Sequence, residues 1–416
     1  MSMLQISEMI LCLAFFVKQF YLFPSGSIGA ADILFALSFF LTFAGTLKEK
    51  KLKIYKEDYL WYGFAAFVLL INGIYYVRTR NFDFIRYTMY WMFSTALIWN
   101  LRTLMSEALL EKIRLVCTAN VLCQLIICIS GKGRYFHELW GGSRFMGTFN
   151  DPNQCAFFIF TSILVLFLLY RRKEEPSKRE SIVFWLSFLL GVYLIVKAKS
   201  TGMFVGLMAF FFILLWQWFW KQRGRSSRKW CWDLAAAALV CIGAVGLYLI
   251  WPKPDFEITE TSYTLLSRIQ QKIWKLANGN INDLLYDRSA ERLILQPWYL
   301  LYGAGEGYFE RFIPWGFESR LSPGVFHVFR INEIHCSLFD VWFSYGLIPT
   351  LLLVVWVVRN IIRCPKNQRA AILALLAESF TLMNLRQPLF WFIVTVSGIM
   401  KKDLYPPFEM RTEAKP

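Results

Sequence analysis

The stretch GGSRFMGTFNDPNQCAFF, residues 141–158, sets Arg144 a few residues ahead of an Asn-Asp-Pro-Asn turn that runs directly into apolar sequence. Pro152 suits the first turn of a helix, and Asp151 or Asn150 can cap it. Gly147 lets a backbone or a ligand come close. A guanidinium above the positive end of a helix dipole, with exposed N–H groups beside it, makes an anion site whose natural guest is phosphate. A capped helix with an interfacial arginine accounts for the same residues without any ligand.

Three further stretches carry residue types that could do chemistry. In YDRSAERLILQPWYLLYGAGEGYF (286–309), Arg288 and Arg292 are four apart and share a face if the segment is helical. Gly303, Gly305 and Gly307 follow as a flexible turn; no strand–helix context for a dinucleotide fold surrounds them. Solvated arginines on an amphipathic helix are the plain alternative. In RINEIHCSLFDVWFSYGLIP (330–349), His335 stands where a long loop re-enters apolar sequence, and a neutral histidine there can accept a proton near neutral pH. It could equally anchor to lipid headgroups. His137, His327 and His335 lack Cys or His partners at ligand spacing, which argues against zinc. In VKAKSTGMFVG (196–206), Lys197 and Lys199 fit an anionic substrate or an ordinary interface.

The elements that must position these residues are membrane helices. The chain has 416 residues, is 56% hydrophobic and has a mean hydropathy of +0.42. Its repeated apolar runs match the ~20 residues a helix needs to cross ~30 Å of hydrocarbon. The pattern predicts an all-α polytopic membrane protein with about twelve transmembrane helices, near 6–23, 27–47, 58–77, 83–101, 109–130, 153–170, 181–197, 201–220, 232–251, 335–358, 370–385 and 388–400. The last two are interrupted by Glu378, Asn384 and Arg386. The first run carries Glu8 and Lys18 and lacks a small-residue cleavage site, so it reads as a retained helix. The nine cysteines fall mostly in apolar runs without a CxxC pair, as small buried hydrophobes do.

The net charge of +16 sits in short loops, which excludes a nucleic-acid surface and fits the positive-inside rule. Residues 48–57, 171–180 and 221–229 hold five Lys or Arg each and 359–369 hold four; the alternate loops 78–80, 131–152 and 197–199 hold two, three and two. This alternation predicts cytoplasmic termini and an external face bearing the 141–158 stretch. It divides the chain into a transmembrane bundle (1–251), one large external loop (252–334) with short interfacial helices, and C-terminal membrane helices with a tail (335–416). The loop is nearly charge-balanced, nine basic against ten acidic residues, and 281–301 has apolar residues at helical spacing with Asn282 or Asp283 as a cap.

The order Arg-x-x-Gly-x-x-x-x-Pro-Asn (144–153), then a large external loop with an arginine-bearing segment and a Gly-x-Gly turn, then Glu-Ile-His and Ser-Tyr-Gly-Leu-Ile (333–335, 344–348), resembles the O-antigen ligase and polysaccharide polymerase family. LFPSGSIGAADILF (22–35) also looks like the first hairpin of such polymerases. The resemblance implies a membrane-embedded glycosyltransferase, without cofactor or metal, acting outside the cytoplasmic membrane on undecaprenyl-pyrophosphate-linked saccharide donors and saccharide acceptors. A chain-length regulator and a flippase are the protein partners it implies. Carried over by position, Arg144 and Asn153 bind the donor pyrophosphate, Arg288 or Arg292 supplies a second phosphate arginine, and His335 is the acid/base. The chain departs from the family where KSTG (199–202) replaces a frequent Ser-Arg: Lys199 keeps the charge without the bidentate fork. Cys336 stands where asparagine is frequent. A polymerase of lipid-linked repeat units is the leading expectation. The alternatives are a ligase that moves finished glycan to another acceptor, and a lipid-linked oligosaccharide flippase, whose functional charges would lie nearer the bilayer midplane.

On a cysteine-depleted background, an impermeant thiol reagent applied to intact cells is expected to label a cysteine at Ser322 and to spare one at Ser226. The reverse pattern would invert the topology.

Overall fold

The computed structural model describes residues 2–21, 29–50, 52–138, 142–173, 175–225, 231–236, 262–278, 289–312 and 333–399, with isolated positions between 238 and 259. Eight long helices come first: α1 (Met3–Val17), α2 (Ala30–Lys48), α3 (Tyr59–Thr79), α4 (Asp83–Leu104), α5 (Glu107–Ile129), α6 (Pro152–Arg172), α7 (Lys178–Ala198) and α8 (Thr201–Arg225). Between α5 and α6 lies an antiparallel hairpin, β1 (Arg134–His137) with β2 (Ser143–Gly147). There follow α9 (Leu265–Ala277), two one-turn helices α10 (Arg292–Leu295) and α11 (Tyr299–Tyr302), then α12 (Ser337–Tyr345), α13 (Leu347–Arg363), α14 (Arg369–Ser379) and α15 (Pro388–Ser397).

Six described helices are long and apolar enough to cross a membrane. Apolar side chains on their outer faces lie open, such as Phe40 at 64% and Leu189 at 63% exposure, a surface suited to lipid rather than water. The fold is that of a membrane-embedded helical protein. One helix differs from the rest. The apolar window of α6 is 83% buried against 28–39% for the other five. Its sequence is apolar on every side, as a central helix must be. Asp151 caps it, accepting from the N–H of Asn153 at 2.8 Å and Gln154 at 3.0 Å, and Pro152 opens its first turn. Asn150, the other candidate cap, instead accepts from Arg134 Nη1 at 2.7 Å.

The helices run alternately up and down, which gathers the basic linkers at one end. There Lys173 pairs with Glu111 at 2.7 Å and Arg172 with Glu107 at 3.8 Å. Asn367 donates to the Arg171 carbonyl at 3.2 Å, and Trp99 to the Lys53 carbonyl at 2.9 Å. The hairpin marks the opposite end. Gln124 pins it there by donating to Thr148 Oγ1 at 2.8 Å and Gln19 Oε1 at 3.0 Å. Gly147 has φ +60°, and a Cβ on it would lie 2.0 Å from Gln124 Oε1. The close approach that this glycine permits is therefore to Gln124.

Several expected spans take a different form. The run 335–358 is two helices that meet at Gly346, whose φ is +79°. The turn after α11 packs into that break: Ala304 N donates to Phe343 O at 2.9 Å and Gly305 N to Ser344 O at 2.7 Å. The runs 370–385 and 388–400 form α14 and α15, of 11 and 10 residues, each about half a membrane thickness at 1.5 Å per residue. Residues 380–387 between them turn inward on the polar side chains that broke the apolar pattern. The run 232–251 and the tail from 400 lie largely outside the described residues, as do 281–288 with Asn282 and Asp283, and 22–28. What is described of 289–302 is two single turns broken at Pro297 rather than one amphipathic helix.

At the basic end a buried ion pair ties three helices. Asp58, fully buried at the start of α3, accepts from Arg102 Nε and Nη2 at 3.0 Å each and from Trp356 Nε1 at 2.9 Å. Removing Asp58 leaves Arg102 buried without a counter-charge. The expected cost of Asp58→Ala is about 3–5 kcal/mol, read as a lower melting temperature in detergent. An Asp58→Leu/Arg102→Met double variant is expected to recover most of that loss.

Candidate functional site

Two groups of polar residues occupy the hairpin end, each assembled from elements distant in sequence. The first lies where β2, the start of α6 and the α7–α8 junction meet. Arg144 projects from β2 and is 5% exposed. Its Nε donates to Ala198 O at 3.1 Å and its Nη2 to Asn153 Oδ1 at 2.8 Å. Ser200 Oγ donates to the same Asn153 oxygen at 3.1 Å. The side chain of Asn153 therefore aims the guanidinium, and the capped start of α6 aims Asn153.

α9 supplies what the sequence reading did not anticipate. Its strongly amphipathic sequence LLSRIQQKIWKLA places Arg268 and Lys272 one turn apart. Arg268 Nη1 donates to the Tyr263 hydroxyl at 3.2 Å, and that hydroxyl donates to Glu138 Oε1 at 2.8 Å. Lys199 Nζ lies 4.4 Å over the Tyr263 ring, and Lys272 Nζ donates to the Thr201 hydroxyl at the first turn of α8. Arg144, Lys199 and Arg268 form no ion pair among the described residues, although all three converge on one place. Burial, with Arg268 nearby, lowers the Arg144 guanidinium to about 10. Burial, then Arg268 and Arg144, lowers Lys199. Burial pushes the Tyr263 phenol up to about 12, with Arg268 opposing and Glu138 reinforcing. Cations that are desolvated, mutually repelled and short of counter-charge are stabilised by an incoming anion.

The second group surrounds the mouth of α12. Glu306, 1% exposed, accepts from Trp91 Nε1 at 2.6 Å, Tyr345 Oη at 2.6 Å and Arg386 Nη2 at 2.7 Å. Arg386 also reaches Glu333 at 3.1 Å and lies 4.4 Å over Tyr87. Burial alone would lower Arg386, but Glu333 and Glu306 hold it well above its ordinary value. Burial raises the Glu333 carboxyl, yet Arg386, a backbone hydrogen bond and His335 together hold it below its usual range. His335 is half-buried beside Glu333, and its backbone is fixed from both sides: Ile334 N donates to Asp340 Oδ1 at 2.7 Å, and Ser337 Oγ donates to Leu382 O at 2.9 Å.

The predicted residues divide between these groups. Arg144, Asn153 and Lys199 come together in the first, and His335 lies in the second. Arg292 also belongs to the second, but it is 1% exposed and stacked on Phe309 at 5.3 Å and Phe312 at 5.2 Å, an anchoring position. Burial lowers its guanidinium against the pull of Asp340 and Glu291. Arg288 and His327 lie outside the described residues. The Gly303–Gly307 turn, expected to be flexible, is a packed one: Arg311 donates to the carbonyls of Ala304 and Gly305, and Tyr75 Oη donates to Gly303 O at 3.1 Å.

Residues 380–387 bridge the groups. Ser337, two residues after His335, accepts from Asn384 N at 3.2 Å. On the other side, a Cβ at Gly202 would lie 2.5 Å from Thr381 Oγ1, and Gly202 follows the Thr201 that Lys272 contacts. Among the described residues no cluster of His, Cys, Asp and Glu is arranged to hold a metal ion. Arg386 and Glu378 had been visible in the sequence only as interruptions of apolar runs. The i, i+4 basic pair of α9 was the signal available for Arg268 and Lys272.

No protein-family model matches this chain, and no curated protein matches it.

Lys199 caps α7 with φ +49°, a left-handed conformation that glycine adopts freely and that costs an L-residue roughly 1–2 kcal/mol. Its retention at the cation cluster puts local strain beside the site. Lys199→Gly is expected to melt at a higher temperature than Lys199→Ala, by the equivalent of about 1 kcal/mol. Both are expected to bind inorganic pyrophosphate, a probe of the anion site, more weakly than the parent. Equal melting of the two variants would remove the strain, and unchanged binding would remove Lys199 from the site.

Proposed function

We propose that this protein is a membrane-embedded glycosyltransferase that polymerises undecaprenyl-pyrophosphate-linked oligosaccharide repeat units for an O-antigen, capsule or exopolysaccharide. The hairpin end faces outside, the basic end and both termini are cytoplasmic, and the lipid tail lies in the bilayer with its pyrophosphate at the interface. One observation carries the reading: Arg144, Lys199 and Arg268 converge, partly desolvated and without carboxylate partners among the described residues, on the start of α8. Such a cradle suits a diphosphate better than a neutral or cationic guest.

In the proposed step an acceptor hydroxyl attacks the anomeric carbon of the donor sugar. The new C–O bond forms as the bond to the pyrophosphate breaks, and the electron pair leaves with the phosphate. The growing negative charge falls on Arg144, with Lys199, Arg268 and the first turn of α8 around it, an electrostatic stabilisation strongest where water is scarce. The acceptor proton passes to His335. Glu333, held ionised by Arg386, stabilises the imidazolium that results. Attack from the face opposite the leaving group inverts the anomeric centre. Arg292 acts at a distance by packing the aromatic floor beneath α12.

The test uses purified protein in nanodiscs with a lipid-linked repeat unit. Arg144→Lys keeps the charge but loses the planar fork, and turnover is expected to fall about 30–1,000-fold, or ~2–4 kcal/mol. His335→Ala is expected to lose about 10²–10⁴-fold in turnover while donor binding stays close to that of the parent. Near-normal polymer from both variants would sink the assignment. Transfer of finished glycan to a different acceptor, without chain growth, would make the protein a ligase. Donor crossing the bilayer with no new glycosidic bond would make it a transporter.

A further inference from the structure

At the basic end, remote from the candidate site, the last turns of α8 border a groove of about 900 Å³. Its floor is apolar, made by Phe211, Leu214 and Leu215. Arg171 at the end of α6, Lys221 on α8 and Lys366 in the α13–α14 linker stand at its rim. None of the three forms an ion pair among the described residues, and all three are exposed. The backbone that carries two of them is fixed: Gln217 Nε2 donates to the Lys366 carbonyl at 2.9 Å, and Asn367 Nδ2 to that of Arg171 at 3.2 Å. Trp216 and Trp220 pack edge to face 5.5 Å apart along the same helix, at the level where indoles sit between hydrocarbon and headgroups.

We infer that this groove seats an anionic glycerophospholipid, its phosphate among Arg171, Lys221 and Lys366 and the start of its acyl chains along Phe211, Leu214 and Leu215. Charge complementarity selects the occupant. Three cations line the one groove with no carboxylate among the described residues that line it, and a zwitterionic headgroup would place an ammonium against them. The apolar floor separates this from the diffuse attraction of any basic surface to an anionic leaflet, which needs no groove. A free phosphate would meet the same cations but gain nothing from the floor. The inference needs only a membrane-embedded chain and stands apart from the glycosyltransferase reading.

The test measures retention of phosphatidylglycerol by the full-length protein, released from nanodiscs of phosphatidylcholine with a minor fraction of phosphatidylglycerol, by native mass spectrometry. The parent is expected to keep phosphatidylglycerol in preference to phosphatidylcholine. Each of Arg171→Gln, Lys221→Gln and Lys366→Gln is expected to weaken retention about fivefold, and the triple variant about a hundredfold. Leu215→Asn, which changes no charge, is expected to weaken it as well. Because the altered side chains are exposed, elution as a single symmetrical peak serves as the control for folding. Equal retention by parent and triple variant overturns the proposal. Retention lost in the triple variant but intact in Leu215→Asn reduces the groove to surface attraction and overturns it too. Displacement of the lipid by millimolar inorganic phosphate would make it a free-anion site instead.

Discussion

Asp151 accepts two backbone N–H groups at the start of a helix that is mostly buried, because α5, α7, α8, α14, α15 and the hairpin pack around it. A central α6 must be apolar all round, so it cannot carry the chemistry along its length. Apart from Thr161 and Ser162, whose hydroxyls donate back to carbonyls of their own helix, its polar residues gather at its capped first turn and its arginine-tipped last one. The hairpin, the end of α7 and the start of α8 close over that first turn. The position of Arg144 follows, since its two hydrogen bonds run to Asn153 on α6 and to the last carbonyl of α7.

A buried arginine is normally matched by a carboxylate, because a desolvated charge without one is costly. Among the described residues that requirement is met at Asp58–Arg102 and at Arg386 with Glu306 and Glu333. Among the described residues no carboxylate pairs with Arg144. The nearby carboxylates are otherwise engaged: Asp151 caps α6, and Glu138 accepts from Tyr263. The contrast within one molecule is what gives the cation cluster its meaning. Where arginine serves packing it is paired or stacked on aromatic rings, and where it is left with amide and carbonyl oxygens a ligand can supply the missing charge.

Much of the helical layout could be read from the sequence, because membrane helices declare themselves by length and apolarity and the basic linkers by their alternation. Arg144, Asn153 and the Asp151 cap were legible because they lie within ten residues of one another, where local rules of capping and dipole apply. Arg268, Lys272 and Arg386 were not, because each reaches its group by tertiary packing far along the chain, 71 residues from Lys272 to Thr201 and 53 and 80 from Arg386 to Glu333 and Glu306. The spacing of Arg268 and Lys272 shows a shared face but not what the face meets. Glu378, Asn384 and Arg386 read as defects in two spans, since periodicity cannot tell a broken helix from a half-length pair with a polar turn. The Gly303–Gly307 turn misled in the same way: three glycines suggest freedom, whereas their positive φ values serve tight packing, of Gly303 on α12 and of Gly305 and Gly307 on Tyr75 of α3 and Asp83 and Phe84 of α4.

The stretch 380–387 shows why such a defect is tolerated. Irregular backbone within a membrane protein survives only where its polar groups are satisfied away from lipid. Here Thr381 N donates to Glu378 O at 2.7 Å, Gln387 N to Asn384 O at 3.1 Å, and Asn384 N to Ser337 Oγ at 3.2 Å. Leu382 O accepts from Ser337 Oγ, and Leu385 O from Trp391 Nε1 at 2.6 Å. Three of those five bonds are made by side chains outside the turn, two by Ser337 and one by Trp391. α14 and α15 are therefore short because their turn is held at the mouth of α12, with Arg386 locked to Glu306 and Glu333. The same lock joins the element bearing His335 to the one packed against Gly202 at the start of α8. Any shift of α12 relative to α8 has to break it, so the lock ties the two polar groups together, which the proposed reaction, with its base in one and its pyrophosphate in the other, would require.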